Sequence, residues 1–140
     1  MRIVIDTNIW ISGLLWQGDA WRLLNLAEKG RVELCVAYPM ILELEEVLAY
    51  ERFQERLKIL DQTPFQLATY ALQLAKAFEV VRNKPPIVVA DPDDDLFLLC
   101  AVEASARYVV TNDRHLLALK MYVGIPIVNI QDFFAREFDS

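Results

Sequence analysis

Seven acidic positions carry the residue types and spacing from which chemistry could be built. Asp6 follows an apolar run, Ile3-Val4-Ile5, and is followed by a hydroxyl and an amide, Thr7 and Asn8. Glu43 lies in a helix-like stretch with Glu45 and Glu46. Asp91, Asp93, Asp94 and Asp95 crowd four acids into five positions directly before the apolar run 96–102, and Asp113 closes Thr111-Asn112-Asp113 after a second β-rich run. Acids at a helix start are favoured by the free N–H groups and the dipole there, but a cap needs only one, and the surplus repels itself unless a cation or solvent relieves it. Carboxylate oxygens are hard ligands, suited to Mg²⁺ or Mn²⁺, which take one or two protein carboxylates plus waters and substrate phosphates. The single histidine, His115, excludes a paired-imidazole acid–base mechanism within one chain, and no cysteine or histidine cluster suits zinc.

Elements that would position these acids follow from periodicity. Ile3, Val4 and Ile5 are apolar on every side, as in a strand covered on both faces, and place Asp6 at its carboxyl end, where open α/β sheets bind ligands. Residues 9–16 read as a packing helix, 20–29 as a helix capped by Asp19 and followed by Gly30, and 32–36 as a second strand. Pro39 starts a helix to residue 50 whose apolar face is flanked by Glu43 and Glu45, while Glu46 points away. Glu43 lies nearer the helix start and is the acid chosen to meet Asp6. Residues 51–60 suit a short solvent-facing helix. Thr63-Pro64-Phe65-Gln66 has the reciprocal capping pattern, predicting a helix to about residue 78 and then a strand at 79–81. Pro85-Pro86 and Asp91-Pro92 bracket an extended segment, 87–90. A helix from Asp95 to about residue 105, a strand at 107–110, a short helix at 114–120 capped by Asp113, a strand at 127–130 and a terminal helix complete the chain. This alternation predicts one α/β domain over 1–140 with a parallel sheet between helices, whose strand ends bring Asp6, Asp95 and Asp113 to one edge.

Composition bounds the reading further. With 55% hydrophobic and 24% charged residues, some apolar surface is expected to remain for a partner, either a second copy in a homodimer or a bound regulator. The net charge of -6 argues against nucleic acid unless bound cations, about +4 for a pair, invert the local field. No apolar run reaches membrane-spanning length and no signal segment opens the chain, so a soluble cytoplasmic protein is expected. Cys35 and Cys100 are expected to be buried reduced thiols. Arg22, Lys29, Arg107, Arg114 and Lys120 are candidate phosphate contacts.

Taken in order, Asp6-Thr7-Asn8, Glu43, Asp95 and Thr111-Asn112-Asp113, with Asp95 and Asp113 separated by 18 positions, resemble the PIN-domain nucleases over nearly the whole chain. Residues 91–117 are especially similar to VapC-like toxins of toxin–antitoxin systems. The resemblance implies a three-layer α/β/α fold and a Mg²⁺- or Mn²⁺-dependent endoribonuclease. Asp6, Glu43, Asp95 and Asp113 would hold one or two cations, and Asn8, Thr111, Asp93 and Asp94 would support the shell. It also implies an RNA substrate and a protein antitoxin. A housekeeping RNA-processing nuclease would use the same site, and a PIN-like module that binds RNA or protein without cutting is the alternative from another class. A haloacid-dehalogenase-type phosphotransferase expects a second Asp where Asn8 stands.

Overall fold

The computed structural model describes residues 1–81 and 95–139. The expected extended segment at 87–90 and the acids Asp91, Asp93 and Asp94 lie outside them. Six strands form one sheet in the order β3-β2-β1-β4-β6-β5, sandwiched between helices as a three-layer α/β/α unit. The centre is β1 (Arg2–Ile5), where Ile3, Val4 and Ile5 are at most 1% exposed. Such burial on both faces is what their unbroken apolar run demands. β1 pairs in parallel with β2 (Glu33–Ala37) on one side and with β4 (Tyr108–Val110) on the other. The chain builds outward through β2 to β3 (Lys76–Phe78) and then returns to the opposite flank of β1. The β1/β4 boundary is therefore the topological switch point, outside whose carboxyl ends a crevice opens.

Helix α1 (Thr7–Leu15) begins one residue after β1 ends, with Asp6 as its cap. It is buried almost all round, and Gly13 admits α2 (Asp19–Glu28) so closely that a Cβ there would meet Ala20 O at 2.8 Å. Helix α3 (Tyr38–Leu48) follows β2 with Pro39 in its first turn. A 3-10 turn (Glu51–Phe53) and α4 (Gln54–Leu60) occupy the expected solvent-facing stretch. Helix α6 (Asp95–Glu103) lies over β1, β2 and β4 with its residues from Asp95 to Ala101 all buried. It is apolar on every side because it is covered on every side.

Two stretches differ from the sequence expectation. Helix α5 (Pro64–Leu74) starts with the reciprocal Thr63–Gln66 cap but stops at Ala75, and residues expected to extend it form β3 instead. Backbone pairing with Cys35, Val36 and Ala37 of β2 outweighs the weak helical preference of Lys76-Ala77. Near the other edge, α7 (Arg114–Leu117) is shorter than expected and is followed by β5 (Met121–Tyr122), which pairs antiparallel with β6 (Ile125–Val128). The two-residue connection Val123-Gly124 has positive φ at both positions, 50° and 78°, as a hairpin turn of this kind requires. A β-branched residue is an unusual occupant there and gives no turn signal in the sequence. Strand β6 therefore ends before Asn129, which caps α8 (Ile130–Glu137) rather than continuing the strand.

Candidate active site

The register of β1 on β4 sets the geometry. Ile5 pairs with Val110, so the residues that follow, Asp6 and Thr111, leave the sheet side by side. Asp6 is 5% exposed and Thr111 fully buried. The Thr111 hydroxyl donates to Asp6 Oδ2, while Asp6 Oδ1 accepts the Ile9 backbone N–H at 2.9 Å. Burial is the largest influence on Asp6 and pushes its carboxyl above the usual range. The Thr111 and Ile9 donors pull in the opposite direction, and the negative charge of Asp113 adds to the upward push. Thr111 also accepts the Asp113 backbone N–H at 2.9 Å, so one buried hydroxyl ties the two acidic loops together. Asp113 is partly exposed and caps α7 through the His115 backbone N–H at 2.9 Å, the capping role expected of it.

Asp6 and Asp113 face a common cleft of about 450 Å³, whose wall includes Asn8, Ser12, Asp19, Asn112 and Gln131. Among the described residues, no Lys or Arg lines it. Glu43, half-buried on α3, lines a neighbouring depression of about 340 Å³ with Leu42, Tyr50 and Leu96. It reaches the Asp6 loop through Thr7, whose hydroxyl donates to Glu43 Oε2 at 3.2 Å. Asp95 is 3% exposed in the first turn of α6, next to Leu96. The structure thus brings Asp6 and Asp113 to one cleft and sets Glu43 and Asp95 at the adjoining depression and helix start. Among the described residues, no three His, Cys, Asp or Glu side chains are gathered closely enough to hold one ion. The Asp6–Asp113 pair nevertheless fits a hard cation, which needs only one or two carboxylates, and Asp6 is a buried acid whose neighbourhood disfavours a second uncompensated negative charge.

Three cleft residues, Ser12, Asp19 and Gln131, were not picked out from the sequence, whereas Asn8 was. Asn8 and Ser12 are the exposed positions among α1's otherwise mostly buried residues. Their spacing of four places them on one face of a turn, which was the available signal. Asp19 is not the cap of α2, since Gly18 holds that position; it stands inside the first turn and lines the cleft. Gln131 enters with α8, whose Ile130 N–H approaches Asn112 Oδ1 at 3.4 Å. Of the expected phosphate contacts, Arg22 is committed to a two-pronged bridge with Asp139 and lies over the Phe134 ring, and Arg107 is 3.5 Å from Glu137. Cys35 and Cys100 are free and buried, with burial pushing their thiols up to about 11 and about 12, so neither offers a thiolate at neutral pH.

A family model for the PIN domain matches residues 2–115. The chain belongs to the PIN domain family. The match spans the candidate site acids from Asp6 to Asp113. Solved structures similar to this PIN domain include PAE2754 from Pyrobaculum aerophilum, with 17% identity, 97% of both chains covered and a TM-score of 0.61. Another is VapBC2 from Rickettsia felis bound to a DNA fragment from their promoter, with 15% identity, 92% of this chain and 98% of that chain covered, and a TM-score of 0.57. At such identities the likeness is one of fold. No curated protein matches the chain. Among the described residues, no helix is long and apolar enough to cross a membrane.

Proposed function

We propose that residues 1–140 form a single PIN-domain endoribonuclease that depends on Mg²⁺ or Mn²⁺ and acts in the cytoplasm as the toxin of a toxin–antitoxin pair. The observation that carries this reading is the pairing of buried Asp6 with Asp113 on one cleft at the sheet's switch point. Asp6 and Asp113 would hold a cation from the two strand ends, Glu43 and Asp95 would complete its surroundings from α3 and α6, and Asp93 and Asp94 would support them. One or two such ions would supply a water of lowered pKa and offset charge building on the phosphodiester.

The chain's own residues do the rest. Thr111 fixes the rotamer of Asp6 by donating to one oxygen, leaving that acid pre-oriented rather than free to turn. Asn8, Ser12, Asn112 and Gln131 offer amide and hydroxyl groups to an RNA strand laid across the cleft. Among the described residues no Lys or Arg lines the cleft wall, so a bound cation would meet the charge of the RNA in a chain whose net charge is -6. No side chain is needed as nucleophile.

The toxin role is supported by the resemblance of residues 91–117 to VapC-like toxins and by the fold shared with VapBC2. Leu42 and Phe65, 52% and 66% exposed, border an open depression beside Glu45 and Glu46. This apolar surface supports a partner, whether the second protomer of a homodimer or an antitoxin. The test is cleavage of mixed RNA by the purified protein with Mn²⁺ and with EDTA, beside Asp6→Asn and Asp95→Asn. Cleavage that needs the metal and both acids is expected. Cleavage unchanged in Asp6→Asn would trace to a contaminant, and metal-replete protein that binds RNA without cutting it would make the chain a binding module.

A further inference from the structure

Asp19 lines the cleft yet has no part in the chemistry described so far. It is exposed in the first turn of α2, directly before Ala20, whose carbonyl lies so close to Gly13 of α1 that no side chain fits between them. That approach fixes the start of α2 against the same stretch of α1 that gives the wall Ser12. Gln131, also exposed, joins from the first turn of α8, where Asn129 Oδ1 accepts the Asp132 N–H at 2.8 Å and Asn112 Oδ1 the Ile130 N–H at 3.4 Å. Among the described residues no three acids gather to hold one ion, so Asp19 stands apart from the Asp6–Asp113 pair. Arg22, one turn along α2, is drawn to Asp139 by its two-pronged bridge and only more weakly to Asp19.

A carboxylate at that place repels the RNA backbone, and among the described residues no Lys or Arg on the wall offsets it. It can, however, take a donor. An ionised carboxylate only accepts, through two oxygens side by side, and single-stranded RNA offers the Watson–Crick edges of its bases. Guanine presents two adjacent donors there, N1–H and the N2 amino group, next to the acceptor O6. Adenine and cytosine pair one amino group with an acceptor, and uracil has one N–H between two acceptors. A glutamine amide supplies the donor that O6 requires.

We propose that Asp19 and Gln131 read a guanine base next to the bond that is cut, the Asp19 carboxylate accepting from N1–H and the N2 amino group and the Gln131 amide donating to O6. The assignment rests on the reading of the cleft as a ribonuclease site and names its substrate preference. It divides the cleft between a side that holds the cation and a side that holds a base.

The deciding measurement is Mn²⁺-dependent cleavage, by the full chain, of oligouridine carrying a single guanosine, inosine, adenosine or cytidine. Cleavage beside guanosine is expected to exceed that beside the other three by about 10- to 100-fold, the scale of one bidentate base contact. Inosine shows which group is read, because it differs from guanosine only in lacking the N2 amino group. In Asp19→Asn, guanosine and inosine should be cut at like rates, whereas Gln131→Ala should slow cleavage beside guanosine yet keep its advantage over inosine. By titration calorimetry, Asp19→Asn should bind Mn²⁺ as the wild type does. Equal wild-type rates on all four substrates, a guanosine advantage over inosine that survives in Asp19→Asn, or loss of Mn²⁺ binding in that variant overturns the assignment. Should Asp19→Asn fail to melt cooperatively, Asp19→Ser carries the same expectations. The ribonuclease reading fails separately: if the oligonucleotides are bound but not cut, the guanosine-to-inosine ratio of binding affinities still decides the role of Asp19, and if none is bound, both fall.

Discussion

The carboxyl ends of β1 and β4 carry the same three residue types in different orders, Asp6-Thr7-Asn8 and Thr111-Asn112-Asp113. Each acid caps the helix that follows, Asp6 through Ile9 and Asp113 through His115. Their surroundings differ because the register fixes which residue leaves the sheet interior first. With Ile5 opposite Val110, the first residue past each strand is buried, a carboxylate on one side and a hydroxyl on the other. The hydroxyl therefore faces an acceptor instead of a second negative charge. Asp113, two steps further out, has already reached the partly solvated rim. One order yields a buried acid whose carboxyl is pushed up, the other a solvated acid beside it. A cation would bridge a fixed ligand and a more adaptable one.

This contrast can be broken most directly at its buried acid. Asp6→Asn should reduce metal-dependent RNA cleavage by more than about 100-fold, beyond the range usual for supporting residues; a loss under about tenfold, measured as kcat/KM, would mean that burial does not mark the principal ligand. Next in size is Thr111→Val, which strips the donor from Asp6 and the acceptor from the Asp113 N–H. It should cost about 1–3 kcal/mol in urea unfolding, with Thr111→Ser recovering most of it. Asp113→Asn should be nearly silent in the same unfolding assay, within about 0.5 kcal/mol, because asparagine caps a helix as well as aspartate does. Its cleavage defect should be smaller than that of Asp6→Asn. Equal stability losses at Thr111 and Asp113 would erase the distinction between buried and rim positions.

The smallest effect is one of pH. A carboxyl whose folded pKa lies above its ordinary 3.8 binds more protons in the folded than in the unfolded chain. Its contribution is then fully present below 3.8 and is lost as pH rises through the raised folded value. In EDTA, the melting temperature of Asp6→Asn should therefore gain on the wild type as pH rises across that window. A difference between the two that stays flat with pH would show that Asp6 is not perturbed by its burial.

Much of the fold was legible because it rests on interactions between near neighbours. The Thr63–Gln66 cap, the proline at the start of α3, and the apolar run of β1 each act within a few residues, so their letters carry their structure. What was misread depended on distant partners. Lys76-Ala77-Phe78 is strand because β2 is there to pair with it, and Met121-Tyr122 because Val123 accepts a turn conformation that β-branched residues seldom adopt. The site divides the same way. Asp6, Glu43, Asp95 and Asp113 could be picked out as acids at element starts and helix flanks, whereas Ser12, Asp19 and Gln131 look like ordinary helix-surface residues until α1, α2 and α8 meet around the cleft.

The sequence by itself determined the parallel α/β layering and the presence of an acid where β1 and β4 end, since burial on both faces requires unbroken apolar strands and the polar groups must wait for their termini. Only the tertiary structure decided that Thr111 would face Asp6, that Glu43 would be reached through Thr7, and that Arg22 and Arg107 would be drawn to the C-terminal helix instead of the cleft. Those outcomes follow from strand register and helix packing. Both are settled by contacts between residues tens of positions apart, and no local pattern of letters encodes them.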